Sequence, residues 1–311
     1  MTALNRSEIL FLYDVTDANP NGDPVDENKP RIDEETGINI VTDVRLKRTI
    51  RDYLHTYKNQ EIFILEQKDA KGDLKTKEDQ YSEYGNSIET LVARCVDMRL
   101  FGATIAVKTG KTKSGTSVRP AALVGPIQFK FGRSLHKVDL TYVRGTTVMP
   151  SKEGKQRGAF TEKYVLPYSL IAFYGVVNEK AAQEQNIPLT SNDVFLLLDA
   201  MWNGTKNLLS TSKAGQMPRL LIQVEHVQGS SHFGELDKRI RIRSDRDDTA
   251  IRDIAEVKLE IDELVNLLRR NREEIAMIRF KIDERVRLSF DGAPTTLDGA
   301  LAELPHEELM F

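Results

Sequence analysis

Ser7-Glu8-Ile9-Leu10-Phe11-Leu12-Tyr13-Asp14-Val15 is followed by Asn19-Pro20-Asn21-Gly22-Asp23-Pro24, and a helical pattern begins after Thr42. The first run is rich in apolar and aromatic residues and reads as a buried first strand. The second mixes Pro, Asn, Gly and Asp. Each favours turns for its own reason: a fixed φ, a tolerated positive φ, or a side chain that bonds the local backbone. Thr16 to Ile40 therefore reads as a loop, and loops of that length are usually functional or disordered. Thr42 offers an N-cap oxygen for a helix reaching about Tyr57. Leu46, Ile50, Tyr53, Leu54 and Tyr57 share one face of it, Lys47, Arg48 and Arg51 project from the other, and Arg45 lies on the flank.

Outward from this unit, Glu61 to Arg94 is a mixed insertion with a helical stretch from Ser87. Val96 to Val107 reads as strand around Phe101-Gly102. Lys108 to Pro120 is a Gly, Ser, Thr and Lys loop without acidic residues. Ile127, Phe129 and Phe131 alternate with polar neighbours, as in a half-buried strand. Leu140 to Met149 and Ala159 to Leu166 flank a basic segment, Pro150 to Gly158, which predicts a long hairpin. Tyr168 to Val177 reads as a further strand. Ser191 and Asp193 open a helix that Trp202-Asn203-Gly204 should end, a loop runs on to Met217-Pro218, and Arg219 to Val227 is another strand. Lys238 to Arg243 alternates as an edge strand does. Ile251, Ile254, Val257, Ile261, Leu264 and Leu268 have helical spacing and predict one amphipathic helix. The segment beyond Phe290 reads as a peripheral tail. This order predicts an α+β fold with a ferredoxin-like, RRM-type sheet. An open sheet of that kind offers one face to single-stranded nucleic acid.

The chain has 311 residues, 44 basic and 47 acidic, for a net charge of −3. That total argues against a polyanion partner until it is resolved by position. Arg99 to Lys163 holds 13 basic and 3 acidic residues and carries +10, so the remainder carries −13. A basic block inside an acidic protein is the footprint of a polyanion site, although lysine and arginine also decorate ordinary surfaces. Cys95 is the only cysteine, which excludes an internal disulfide and a cysteine-based zinc site within one chain. The apolar runs are too short to span a bilayer, so a cytoplasmic protein without membrane contact is expected.

Motifs for catalysis are few. The five histidines form no helical metal pair, and Gly110-Lys111-Thr112 lacks the upstream glycine of a phosphate-binding loop, because position 105 is Ile105. Asp14, Asp17, Asp23, Asp26 and Asp33 crowd the segment after the first strand. They fit either turn chemistry or a divalent-cation site acting on an RNA 2′-hydroxyl. No metal site and no cofactor is expected. Basic residues in the first helix, the 108–119 loop and the hairpin tip, with Tyr142, Met149 and Phe160 nearby, fit phosphates and splayed bases better. Each aromatic taken singly is also an ordinary core residue.

Asp14-Val15-Thr16-Asp17-Ala18-Asn19-Pro20-Asn21-Gly22-Asp23-Pro24, Pro30 to Gly37, Val41 to Arg48, Arg99-Leu100-Phe101-Gly102 and Gly215 to Leu221 together resemble the crRNA-binding backbone subunits of type I CRISPR Cascade complexes. These form the seventh CRISPR-associated family, Csd/Csh subgroup, of the RAMP superfamily, and Thr42 to Leu54 looks more like the I-B branch than I-C. The resemblance implies a non-enzymatic subunit with an RRM-like palm, a helical finger insertion and a long β-hairpin thumb. It divides the chain into palm at 1–60, fingers at 61–95, palm strands and basic loop at 96–133, thumb at 134–164, the remaining palm at 165–290 and a tail at 291–311. It implies guide RNA, target DNA by way of the guide, other Cascade subunits and further copies of the chain in a head-to-tail filament as partners. The implied RNA contacts are Asn19, Asn21 and Gly22 in the first loop, and Arg45, Lys47 and Arg48 on the first helix. Lys111, Lys113 and Arg119 supply the basic loop. Met149, Lys152, Lys155, Arg157 and Phe160 supply the thumb, and Lys206, Lys213, Gln216 and Arg219 a second loop. Type III relatives cut RNA with a loop aspartate, so a metal-dependent ribonuclease is the alternative.

Overall fold

The computed structural model describes residues 4–105, 110–111, 117–118, 121–146 and 160–311. Among these, nine strands form the main sheet: β1 Ser7–Ala18, β2 Ile38–Val41, β3 Ile127–Phe129, β4 Gly132–Lys137, β5 Thr141–Thr146, β6 Phe160–Val177, β7 Gln216–His226, β8 Ile275–Ile282 and β9 His306–Glu308. Their order is β9-β8-β7-β1-β6-β4-β2, with β3 and β5 also paired to β6. The eight helices among the described residues are α1 Asp43–Lys58, α2 Lys77–Glu83, α3 Ile88–Arg94, α4 Val96–Phe101, α5 Glu179–Glu184, α6 Ser191–Lys206, α7 Asp262–Arg270 and α8 Leu297–Leu301. None is long and apolar enough to cross a membrane.

β1 explains the layering. Ile9, Phe11, Tyr13 and Val15 enter one core with Leu46, Ile50 and Leu54 of α1 and Leu197, Leu198 and Met201 of α6. Leu10 and Leu12 enter a second core on the opposite face, with Leu220 and Ile222 of β7 and the buried apolar residues of 251–268. A strand covered on both faces must be apolar throughout, and that is why the run beginning at Ser7 is nearly continuous. The sheet therefore has no open face over β1. C-terminal segments cover the side that the open-sheet expectation reserved for nucleic acid.

Other elements also differ from the sequence reading. Val96–Phe101 is helical, and strand starts only at Gly102. Gly102 has φ 62°, and a Cβ there would collide with the Leu123 carbonyl, so the helix-to-strand turn requires glycine. Ile38–Val41 of the supposed loop is a strand paired with β4. Phe131 does not continue the alternation of Ile127 and Phe129 and is exposed. β5 and the first part of β6 form the two hairpin arms, from Thr141↔Val165 to Thr146↔Phe160. β6 then runs unbroken to Val177, so the hairpin arm and the next strand are one element, and Ser134–Lys137 belongs to the main sheet. α6 passes through Trp202-Asn203-Gly204 to Lys206, and Gly204 serves close packing on α1, where a Cβ would lie 3.0 Å from the Tyr53 Cβ and 3.3 Å from the Thr49 carbonyl. Lys238 and Arg239 lie in a 3₁₀ turn, and only Arg241–Arg243 is an edge strand.

The predicted amphipathic helix of 251–268 is instead 3₁₀ turns at 248–256, a strand at Lys258–Glu260 and α7. All six of its apolar residues are buried, since short turns and a strand directed at one core can reproduce a helical spacing. The tail is integral. Leu297, Leu301, Leu304 and Leu309 are buried, and β9 pairs in parallel with β8. α2 and α3 pack in a separate small core with Phe63, Cys95 and Met98.

Candidate nucleic-acid interface

Three segments meet at the C-terminal end of β1. The loop after β1 is drawn against the 209–215 loop by the Asn19 amide, which donates to the Ser212 carbonyl at 2.7 Å. The return arm of the hairpin joins them. Lys163 Nζ donates to the Thr211 carbonyl at 3.0 Å, and the Tyr164 hydroxyl donates to Glu27 at 3.0 Å. Asn21 couples the loop to α1, because its Oδ1 accepts from both the amide and the hydroxyl of Thr42 at 2.8 Å. Thr42 is the N-cap of α1 and accepts from the Arg45 amide. Gly22 lies so close to Asn28 that no side chain fits between them.

This arrangement brings Arg45 and Lys213 together. Arg45 donates to Thr49 Oγ1 at 2.9 Å, its buried Nε has no partner among the described residues, and burial holds its guanidinium below the ordinary value. Burial also pushes the Lys213 ammonium down, and the charge of Arg45 lowers it further. Among the described residues, neither cation has a carboxylate within ion-pair distance. Among the described residues, two buried amide atoms nearby also lack a partner: Oδ1 of Asn19, whose backbone amide bonds Ser212, and Nε2 of Gln216, which pairs with Val15 in register. Buried polar atoms are normally satisfied, so orphans beside two unneutralised cations mark a place for an anionic, hydrogen-bonding ligand. Tyr142 and Tyr164 face each other across the hairpin, with ring centroids 5.1 Å apart, and Lys29 Nζ lies 5.2 Å from the Tyr164 ring. The rings are tilted by 42° to each other, and each offers its own face to a base.

The other implied contacts separate into distinct environments. Arg219 does not face this site. It is buried, with Nε on Asp14 at 2.8 Å and Nη1 on Asp283 at 2.6 Å, so its guanidinium is committed to the interior. Lys47 projects from another side of α1, held by Asp43 at 2.9 Å, and Arg48 is bound by both oxygens of Asp52. Lys206 ends α6 and is exposed just before the 209–215 loop. Lys111 and Phe160 lie in strands, but their side chains are outside the description. Lys113, Arg119, Met149, Lys152, Lys155 and Arg157 lie outside the described residues.

The aspartate cluster is dispersed. Asp14 is buried within β1, where burial raises its carboxyl against the opposing pull of Arg219. Asp23 pairs with Arg31, Asp26 with Lys29, and Asp33 caps the turn at Glu35 and Thr36. Among the described residues, no group of three or more His, Cys, Asp or Glu side chains is placed to hold a metal.

Lys29, Lys163 and Tyr164 were not singled out from sequence. The hairpin arms placed Tyr142 and Tyr164 on opposite strands, and the register that pairs them comes from the fold.

A family model described as CRISPR-associated protein Cas7 matches residues 5–262. A CRISPR-associated protein Cas7 of Haloferax volcanii is 32% identical over 310 residues, covering 93% of this chain and 90% of that protein. Among solved structures, a chain of a CRISPR RNA-guided surveillance complex in a pre-nicking state superposes with a TM-score of 0.57 at 13% identity, over 98% of this chain and 96% of that one. A second CRISPR RNA-guided surveillance complex gives a TM-score of 0.51 at 16% identity, over 90% and 89%. The structural likenesses show a shared fold, and the family match and the relative carry the assignment: the chain belongs to the Cas7 family of CRISPR-associated proteins.

Proposed function

We propose that this protein is a non-enzymatic, guide-RNA-binding backbone subunit of a type I CRISPR Cascade complex, of the I-B branch and the Csd/Csh subgroup. The observation that carries this reading is the Arg45–Lys213 pair, which among the described residues has no carboxylate and is flanked by the orphaned amides of Asn19 and Gln216. A phosphodiester supplies the missing charge, and a ribose or base edge supplies the missing hydrogen bonds. The central strands β7-β1-β6-β4, with α1 between β1 and β4 in the chain and α6 between β6 and β7, serve as the RRM-like palm. α2 and α3 serve as the fingers, and β5 with the start of β6 as the thumb. Copies stack head to tail along the guide in the cytoplasm beside other Cascade subunits and leave bases free to pair with target DNA. Such a heterologous contact does not close on itself, so the RNA sets the filament length.

Native mass spectrometry of the chain on guides of increasing length tests this. The number of bound copies should rise in equal steps with guide length. A fixed stoichiometry on every guide would contradict it. The ribonuclease alternative requires a free loop aspartate, and Asp14, Asp23, Asp26 and Asp33 are each engaged elsewhere. Complementary RNA incubated with the assembly and Mg²⁺ should stay intact. Regular cuts abolished by Asp17→Ala would establish the nuclease instead.

A further inference from the structure

A small four-stranded sheet, Arg241–Arg243, Lys258–Glu260, Leu288–Phe290 and Ala293–Thr295 in that order, is separate from the main sheet. Its inner face is apolar: Ile242, Leu259 and Leu288 join the second core. Its outer face lines a cavity of about 780 Å³. Five cations border that cavity, Arg239, Arg241, Arg243, Lys258 and Arg287, against the three carboxylates of Glu260, Asp262 and Glu263.

The carboxylates are already engaged. Glu263 binds Arg241 and Glu260 binds Arg243, both at 2.6 Å, while Asp262 accepts from the Asp291 amide at 2.8 Å. Among the described residues, Arg239, Lys258 and Arg287 have no carboxylate within ion-pair distance, and Arg239 Nε is buried without a partner. Lys258 sits directly opposite Arg243 in the strand register. Glu260 offsets Arg243, so the Lys258 ammonium is the charge of this pair left without a carboxylate among the described residues. The surplus is also local, because the chain outside 99–163 carries −13.

We propose that this outer face binds the phosphate backbone of duplex DNA, separately from the guide. The cavity lining has cations but no aromatic ring, in contrast to the Tyr142–Tyr164 pair at the guide site. Single strands are held by stacking as well as by charge, whereas a duplex keeps its base faces stacked internally and leaves its phosphates as the contacts independent of sequence. A cationic face without rings therefore matches the duplex. Its contacts are independent of sequence, as suits a surface that holds DNA before any pairing with a guide.

The test uses the guide-loaded assembly and a labelled duplex DNA of about thirty base pairs unrelated to the guide, with anisotropy read across a salt series. K258A with R287A should weaken duplex binding about tenfold at moderate salt and lower the log–log salt slope by about 1.8, for two phosphates released. Arg287→Lys keeps the charge and should keep the slope. Guide-RNA affinity, read in parallel, should not change in either variant, so failure of the guide-binding reading would register separately. Unchanged duplex affinity and slope in the double variant would overturn the proposal. So would an equal loss for single-stranded DNA of the same length, or stronger competition by poly-glutamate than by duplex at equal charge, which would give the face to an acidic protein partner.

Discussion

Arg219→Ala separates a buried structural charge from an RNA contact. Arg219 is 4% exposed and bridges Asp14, 1% exposed, to Asp283. Removing the guanidinium leaves the Asp14 carboxyl with only the Tyr168 hydroxyl at 3.1 Å. Breaking a buried ion pair from one side costs about 3–5 kcal/mol, because the remaining charge stays buried and uncompensated. At about 2–4 °C per kcal/mol, the melting temperature should fall by roughly 6–20 °C. Replacing both partners, as Asp14→Asn with Arg219→Met, should recover much of that loss, since no lone charge is left inside. Calorimetry or urea unfolding reads the stability, and anisotropy below the transition reads RNA affinity in the folded population. The folded population of the single variant should bind RNA with the wild-type salt slope. A variant that melts within about 2 °C of wild type while losing RNA affinity would refute the reasoning and place Arg219 at the guide.

Further outcomes follow from the same geometry. The Lys213 ammonium is depressed in the free protein and a phosphate would restore it, so RNA affinity should fall as pH rises through the interval between the free and bound values; calorimetry in buffers of different ionisation enthalpy should detect proton uptake there, absent in Lys213→Arg. Burial pushes the Glu8 carboxyl up, but hydrogen bonds from His226, Tyr174, Phe233 and Gly234 hold it below its ordinary value. Its contribution to stability is therefore present above the unfolded carboxylate pKa and lost as pH falls through the lower folded value, and acid titration of Glu8→Gln should lack that component. Asn21→Ala removes the acceptor of two Thr42 bonds and should cost about 1–3 kcal/mol in urea unfolding, with faster amide exchange in the first turn of α1. Lys47→Ala should leave RNA affinity within about twofold, because Asp43 already neutralises that ammonium and an ordinary surface charge contributes little.

How much could be read from sequence depended on whether local chemistry fixed the outcome. Thr42 as the cap of α1, the hairpin arms and the buried character of β1 were all legible, because capping and apolar runs act over a few residues. The helical spacing from Ile251 to Leu268 misled, since it records which side chains turn inward and not the backbone that carries them. Arg219 misled similarly. A basic residue after a glycine loop looks like a phosphate contact until Asp14 and Asp283, remote in sequence, are seen to enclose it. Arg45 and Lys213 were both visible as cations, but their isolation from carboxylates arises only when α1 and the 209–215 loop fold together. The covered second face of the sheet comes largely from 251–268, whose apolar spacing does read as a face packed on the protein's own sheet, but which side of β1 it covers is set only by the fold.

The central claim is that Arg45 and Lys213 together hold guide phosphates. Guide-RNA affinity measured against salt for wild type and for the R45A/K213A double variant tests it most directly. The account predicts a double variant that is folded and binds more weakly, with a log–log slope shallower by about 1.4, or about 0.7 for each single-strand phosphate no longer neutralised. A folded double variant with wild-type affinity and slope would contradict it.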